Sequence, residues 1–338
     1  MRLTLFAYSL GGCQRALSVM SAFGDWEIEA YAPARMAHAP FRPIPQPSEA
    51  FYGEQFRHSD ALIFLSACGI AVRSIAPHLK NKTEDPAVIC LDEMGRYVIP
   101  LLSGHIGGAN ALAQRLAAAL GATAVITTAT DIHQRFSVDS WAVRENLQIS
   151  SMQTAKAISA AILEGDLPFC SDFPIRGSLP AGLYEGSSGA LGICVSYRLQ
   201  APFAETLRLI PRVLHLGVGC RRGISSSAIL AAICQLFEKE GLELRSIAHL
   251  ASIDLKADEE GLLELSEEKQ WPISFYSAGE LSKLPGSFSS SDFVQKQTGV
   301  DNVCERAASM EADHLIVRKS AFNGVTVAVA AENWEVRF

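Results

Sequence analysis

Apolar positions along the chain alternate between short β-rich runs and stretches of helical period, the signature of α/β layering. Arg2–Tyr8 predicts a strand, Gly11–Gly12 a turn, Cys13–Phe23 a short helix and Glu27–Ala32 a second strand. Five prolines between Pro33 and Pro47 predict an irregular loop. Ala61–Ser66 predicts a third strand, and Gly69–Leu79 a helix disturbed at Pro77. Ala87–Leu91 and Tyr97–Leu101 predict a hairpin with Gly95 available for its turn. Ala109, Leu112, Ala113, Leu116, Ala117 and Leu120 make one helical stripe, stopped by Gly121. Thr123–Thr128 predicts a closing strand.

From Asp131 to Gln200 the pattern is less regular, with a helix near Met152–Leu163, strands near Leu167 and Ile193, and a Gly/Ser/Pro-rich loop over Ser171–Gly189. A fresh α/β unit begins at Arg212–Val218. Its first helix places Ile229, Ala232, Ile233, Leu236 and Phe237 on one face. It ends in a hairpin, His314–Lys319 with Gly324–Ala330, turning at Asn323-Gly324. The expected fold is therefore two Rossmann-like α/β domains, 1–131 and 211–338, joined by a less regular middle region, 132–210.

Composition narrows the classes of function. With 338 residues, 49% of them apolar and 19% charged, the chain can bury sizeable cores and is not a disordered segment. A net charge of −7 argues against binding nucleic acid or an anionic membrane non-specifically. The start has only a short apolar run, and no stretch reaches the ~20 apolar residues that span a bilayer. Eight scattered cysteines without a C-x-x-C pair read as free thiols in a reducing compartment, so the cytoplasm is the expected location.

Four segments have the residue types for chemistry. Ser103, Gly104, His105, Gly107, Gly108 and Asn110 lie between a strand and a helix. There the glycines admit close backbone approach, the helix N–H groups favour an anion, and His105 is a candidate general base. The same residues also read as a helix capped by Ser103 with glycines for packing. Gly217, Gly219, Arg221, Arg222 and Gly223 form a second glycine loop. It has one residue too many for a dinucleotide fingerprint, but offers donors for carboxylate or phosphate, or else is a solvated surface turn. Cys220 within it reads as a small filler or a nucleophile. Asp254 and Lys256, on one face of a strand, hold a charged pair at a site's edge or an ordinary salt bridge. The following Asp258–Glu260 run reads as a solvated first helical turn. Asp301 or Asn302 caps a helix with Glu305 in its first turn, and Asn302 and Glu305 either serve that helix alone or face a cleft. The remaining histidines show no H-x-x-x-H spacing, so no metal site is expected; His215 and His249 read as core or edge residues. Ligand loops of open α/β sheets lie at the carboxyl ends of strands, where both glycine loops are expected.

Taken together, these segments resemble the CbiG family of cobalt-precorrin-5A hydrolases. FLSACGIAVR (64–73) with Ile75–Pro77, KTEDP (82–86), LSGHIGGAN (102–110) and ITTATD (126–131) are similar to its N-terminal domain. LGVGCRRG (216–223), ASIDLK (251–256), FYSAGEL (275–281), GVDNVCERAA (299–308) and GVTVA (324–328) are similar to its C-terminal domain, which also occurs alone as the CobE-type protein. The resemblance implies action on a cobalt corrinoid. A δ-lactone is opened, a two-carbon fragment leaves as acetaldehyde, and cobalt-precorrin-5B results. It implies no cofactor, since the cobalt belongs to the substrate and the corrin ring takes the electrons. A flat polycarboxylate needs an apolar cleft rimmed by donors, for which Arg73, Arg221, Arg222, Lys256 and the glycine loops are the candidates. His105 is the first candidate base and Glu305 the second. A homo-oligomer and transient contacts with neighbouring pathway enzymes stay open. A non-catalytic corrinoid carrier and a nucleotide or sugar-phosphate enzyme are the rival readings.

Overall fold

The computed structural model describes residues 1–24, 26–81, 84–290, 295 and 298–338, and the chain falls into two units, Met1–Val143 and Arg144–Phe338. Lys82 and Thr83 of the KTEDP string lie outside the described residues.

In the first unit, seven strands form one sheet: β1 (Arg2–Ala7), β2 (Glu27–Ala32), β3 (Arg42–Pro43), β4 (Ala61–Leu65), β5 (Ala87–Leu91), β6 (Tyr97–Leu102) and β7 (Thr123–Ala124), in the order β3-β2-β1-β4-β5-β6-β7. Every pairing is parallel except β5 with β6, whose register places Leu102 opposite Val88. Strands β1, β4 and β5 are almost wholly buried, which is why they read as continuous apolar runs. Helices cover both faces: α1 (Leu10–Ala22), α2 (Ser48–His58), α3 (Cys68–Ile75), α4 (Ala109–Leu120), α5 (Ala129–Ile132) and α6 (Val138–Arg144).

Gly11 and Gly12 lie inside α1 and do not form the expected turn. Ser9 caps that helix by accepting from the Gly12 N–H at 3.0 Å, and a Cβ on Gly12 would stand 3.2 Å from the Leu65 carbonyl. Gly12 is a close-approach residue where α1 crosses the sheet, while Gly11 faces the Glu93 side chain. Helix α4 follows the predicted stripe and ends at Gly121 with φ +65°. Burial of its Leu112 and Leu116 contributes about 1.5–3 kcal/mol each. The predicted strand 123–128 pairs only at its first two residues before α5 begins.

The second unit holds two larger sheets. The middle region, expected to be less regular, builds five strands: β8 (Gln148–Ile149), β9 (Leu167–Ser171), β11 (Leu183–Glu185), β12 (Leu191–Val195) and β13 (Glu205–Ile210), in the order β11-β9-β12-β13-β8, with α7 (Met152–Glu164) packed on them. Its strands are short and interrupted by Pro168 and Gly192, which blurs their period. Gly192 is required because a Cβ would stand 2.7 Å from the Phe203 ring. Two further residues, β10 (Ile175–Arg176), pair with β19 (Val336–Arg337).

The last sheet runs β16-β15-β14-β18-β17, from β14 (Leu214–Cys220), β15 (Ile247–Ile253), β16 (Ile273–Tyr276), β17 (His314–Phe322) and β18 (Val325–Ala331). Strands β14, β15 and β16 are parallel, and β18 runs antiparallel to both β14 and β17. The Asn323-Gly324 turn forms as expected, both residues at positive φ. Helices α8 (Ser226–Glu240), α9 (Glu260–Lys269), α10 (Ala278–Lys283) and α11 (Val303–Ala308) flank the sheet. All eight cysteines are free, and no helix among the described residues is long and apolar enough to cross a membrane.

Candidate functional site

The loop between β6 and α4 is held by its own backbone. The N–H groups of Gly108, Ala109 and Asn110 are given to the carbonyls of His105, Ser103 and Gly104 at 2.9–3.1 Å. The helix start is therefore not the free anion cradle expected from the sequence. Ser103 does not cap the helix either: at φ +56° its hydroxyl donates to the Asp85 carbonyl at 2.8 Å, and Gly108, at φ +77°, takes the cap position. Gly104 and Gly107 are glycine because a Cβ would collide with Asn110 and Ser103 respectively, so both serve the fold of the loop.

What the loop presents is His105. Its Nε2 lies 3.0 Å from Asp131 Oδ2 and 3.3 Å from Thr130 Oγ1. Asp131 also accepts from the Thr128 hydroxyl and from Asn110 Nδ2 at 3.0 Å. Burial opposes ionisation of Asp131, but the bonds from Thr128, His105 and Asn110 outweigh it and hold the carboxyl below its usual range. An ionised Asp131 accepts the Nε2 proton, so Nδ1 is the ring nitrogen left for chemistry. Asn110, buried in this network, donates to Thr128 at 2.9 Å and to Asp131 at 3.0 Å and so orients the carboxylate. Asp131 was missed from sequence: it ends the ITTATD string, but nothing in spacing ties it to a histidine 26 residues away.

This loop follows the carboxyl end of β6. Because β6 runs against β5, the dyad lies at the amino ends of β1, β4 and β5, contrary to expectation. Arg73 is exposed on α3; among the described residues its side chain reaches the Gly69 carbonyl alone, at 3.4 Å, and no bond brings it to His105.

In the second unit the glycine loop does lie at the carboxyl end of β14. Beside it opens a cavity of about 750 Å³, lined by Ile253, Leu255, Val303 and Val325, with Arg221, Lys319 and Thr326 among its polar groups. The four cations on its wall are not equivalent. Arg222 is held by Asp258 at 2.6 Å and the Leu255 carbonyl at 2.8 Å, and Lys256 by Glu259 at 3.1 Å. Among the described residues, Arg221 and Lys319 have no carboxylate within 4.0 Å. They are the unneutralised positive charges of the cavity.

Several sequence expectations are corrected here. Asp254 and Lys256 lie in a 3-10 turn after β15 ends, not on a strand; Asp254 is exposed and forms no pair with Lys256. The acidic run is not simply a solvated turn. Glu259 is buried and also accepts the Gly223 N–H at 2.7 Å; burial opposes its ionisation, but the Lys256 and Gly223 bonds keep its pKa low. Gly223, at φ +74°, has thus spent its donor on the protein. Gly217 is a packing residue, because a Cβ there would overlap the Cys304 carbonyl in α11. Gly219 alone of the three lines the cavity, and its carbonyl accepts from Thr326 at 3.2 Å. Burial raises the Cys220 pKa and pushes Cys304 up to about 12, so neither is a ready thiolate.

Asn302 caps α11, accepting from the Glu305 N–H at 2.9 Å and donating to the Ser289 carbonyl at 3.0 Å. Glu305 is wholly buried. It accepts from the Ser289 N–H at 2.9 Å, the Ser289 hydroxyl and the Lys319 N–H at 2.8 Å, with Arg318 at 3.7 Å. Burial raises its pKa, but these bonds lower it further, leaving a weak base that is not among the residues lining the cavity. The second candidate base is therefore a structural anchor.

Both halves of this arrangement fall within known sequence models. Residues 50–131, with His105 and Asp131, match the model described as cobalamin synthesis G N-terminal, and residues 214–330, with the cavity, match cobalamin synthesis G C-terminus. The chain is 34% identical to cobalt-precorrin-5A hydrolase of Salmonella typhimurium, over 82% of this chain and 83% of that one. It is 33% identical to cobalt-precorrin-5A hydrolase of Priestia megaterium, over 81% and 79% of the two chains. Matching both terminal models in order, and a third identical to these relatives along most of its length, the chain belongs to the CbiG family of cobalamin synthesis.

Proposed function

We propose that this protein is a cobalt-precorrin-5A hydrolase acting in the cytoplasm on a cobalt corrinoid. The observation that carries this reading is the match to named hydrolases across four-fifths of the chain, spanning both the dyad and the cavity. Water adds to the lactone carbonyl, His105 Nδ1 takes its proton, and the ring C–O bond breaks to leave a carboxylate and a hydroxyl. His105 sheds the first proton to solvent, Nδ1 then takes the proton of that hydroxyl, and its C–O bond becomes the C=O of acetaldehyde. The bond to the macrocycle breaks, and its electron pair passes into the corrin ring. The ring is the electron sink, so the reaction calls for no protein-bound cofactor.

Purified protein supplied with cobalt-precorrin-5A should release acetaldehyde stoichiometrically with no added nucleotide, metal or redox cofactor. Tight corrinoid binding without acetaldehyde would replace the hydrolase with a carrier.

The cavity makes a sharper statement about binding. Arg221→Ala and Lys319→Ala should each weaken corrinoid affinity by about 1.5–3 kcal/mol, the worth of a hydrogen bond to a charged group. Arg222→Ala should leave affinity nearly unchanged, because its guanidinium is already engaged by Asp258 and Leu255. A salt-controlled titration checks the ranking, and equal losses at 221 and 222 would refute it.

A further inference from the structure

We propose that His215, His249 and Glu311 form a binding site for a divalent transition-metal ion of the imidazole-preferring class, such as Zn²⁺ or Co²⁺. One ring nitrogen from each histidine and a carboxylate oxygen of Glu311 all lie within 4.8 Å of one another. The two histidines stand opposite each other on the paired strands β14 and β15, their rings 5.7 Å apart. His249 alternates with Ala251 and Ile253, which pack against Val303 and Ala307 of α11, and Glu311 lies beyond the end of that helix.

Two details distinguish this cluster from an ordinary buried pair. His249 Nδ1 is buried without a hydrogen-bond partner, and its closest ionic neighbour is Glu311 Oε2 at 3.8 Å. Buried polar atoms rarely stay unpaired, and an ion would satisfy this one. Each group that would bind is also held from behind. Ser274 meets His249 Nε2 at 3.0 Å, Glu332 meets His215 Nε2 at 2.6 Å, and the Tyr276 hydroxyl donates to Glu311 Oε1 at 2.5 Å, leaving Oε2 toward His249. Such outer partners orient metal ligands and fix their tautomers.

Ligand atoms around a tetrahedral ion stand about 3.3 Å apart, so the three groups, with Glu311 Oε2 at 3.8 Å from His249 Nδ1, must draw together on binding. Glu311 is half exposed and has room to do so. Imidazoles with one carboxylate suit Zn²⁺ and Co²⁺ better than Mg²⁺ or Ca²⁺. The site is distinct from the cavity: His215 and Gly219 are separated along β14 by about 13 Å. Sequence spacing hid it because its ligands come from neighbouring strands and a loop, not from one helix.

The test uses the full chain, stripped with chelator and then titrated separately with Zn²⁺ and Co²⁺, with bound metal measured after dialysis. The expected result is one ion per chain, and a Co²⁺ visible spectrum lacking thiolate charge-transfer bands. His249→Ala should weaken binding at least ~100-fold, and Ser274→Ala by ~10–100-fold, the usual effect of removing an outer partner. Glu311→Gln, at a half-exposed position, should keep the fold and also bind weakly; it decides the matter if His249→Ala fails to fold. Absence of binding by folded wild-type protein would overturn the proposal. So would unchanged affinity in the folded variants, or a thiolate spectrum assigning the ion to cysteine.

Discussion

Replacing His105 by alanine should slow acetaldehyde release at least ~100-fold, since a positioned general base typically contributes 10²–10⁴. The side chain is partly exposed and, among the described residues, bonds to Asp131 and Thr130 alone, so its removal should leave the fold intact. Corrinoid affinity should survive, because a base acts on the barrier more than on the bound ground state. Asp131→Asn provides the complementary test. An amide in place of the carboxylate can present its N–H to the imidazole and favour the opposite tautomer, lowering kcat with little change in KM. A variant blind to this would be expected if Asp131 were merely structural. Near-normal turnover in His105→Ala would place the base elsewhere and leave the dyad as a loop clasp.

Glu305→Ala should lower stability by about 3–5 kcal/mol, the range found when one partner of a buried charged network is removed. The magnitude follows from what remains: N–H groups of Ser289 and Lys319 and the Ser289 hydroxyl, all facing an empty, water-poor space. Denaturant unfolding measures it, and a loss below about 1 kcal/mol would refute the anchor. The pH dependence has a definite sign. The pKa of Glu305 is lowered from 4.5 on folding, so its stabilising contribution is fully present above about pH 4.5 and is lost as pH falls through the lower folded value. Glu305→Gln should keep turnover within ~10-fold while still costing stability, a combination a catalytic base would not show. Because Glu305 binds the backbone of Lys319, where a bulge breaks the register of β17, it also sets where that cavity cation stands.

These two residues show what the sequence could and could not convey. The strands, the α4 stripe and the Asn323-Gly324 hairpin follow from period and turn chemistry, which are local. The reversal of β6 is local too, since the predicted 87–101 hairpin turns the chain back; that its loop then serves the amino ends of β1, β4 and β5 depends on how the whole sheet is ordered. Asp254 and Lys256 alternate with apolar neighbours, yet β15 stops one residue before them, and strand ends are set by where a partner ends. Glu305 reads as a first-turn surface carboxylate until Ser289 and the β17 bulge close over it. Asp131 and the His215–His249 pair depend on which segments become neighbours, which side-chain spacing along one chain does not encode.

The position of β18 has a consequence for how the second unit is made. It sits between β14 and β17 in the sheet, and its Thr326 meets Gly219 across 107 residues of chain. Strand β14 therefore waits, with one edge unpaired, while helices α8 to α11 are synthesised. Local contacts such as the β17–β18 hairpin form quickly, whereas closing so long a loop is slow. A ribosome would thus release most of this unit before its cavity exists, with an apolar strand edge exposed until β18 is made. That interval, and not the finished molecule, is where chaperone dependence and aggregation on overexpression should be sought.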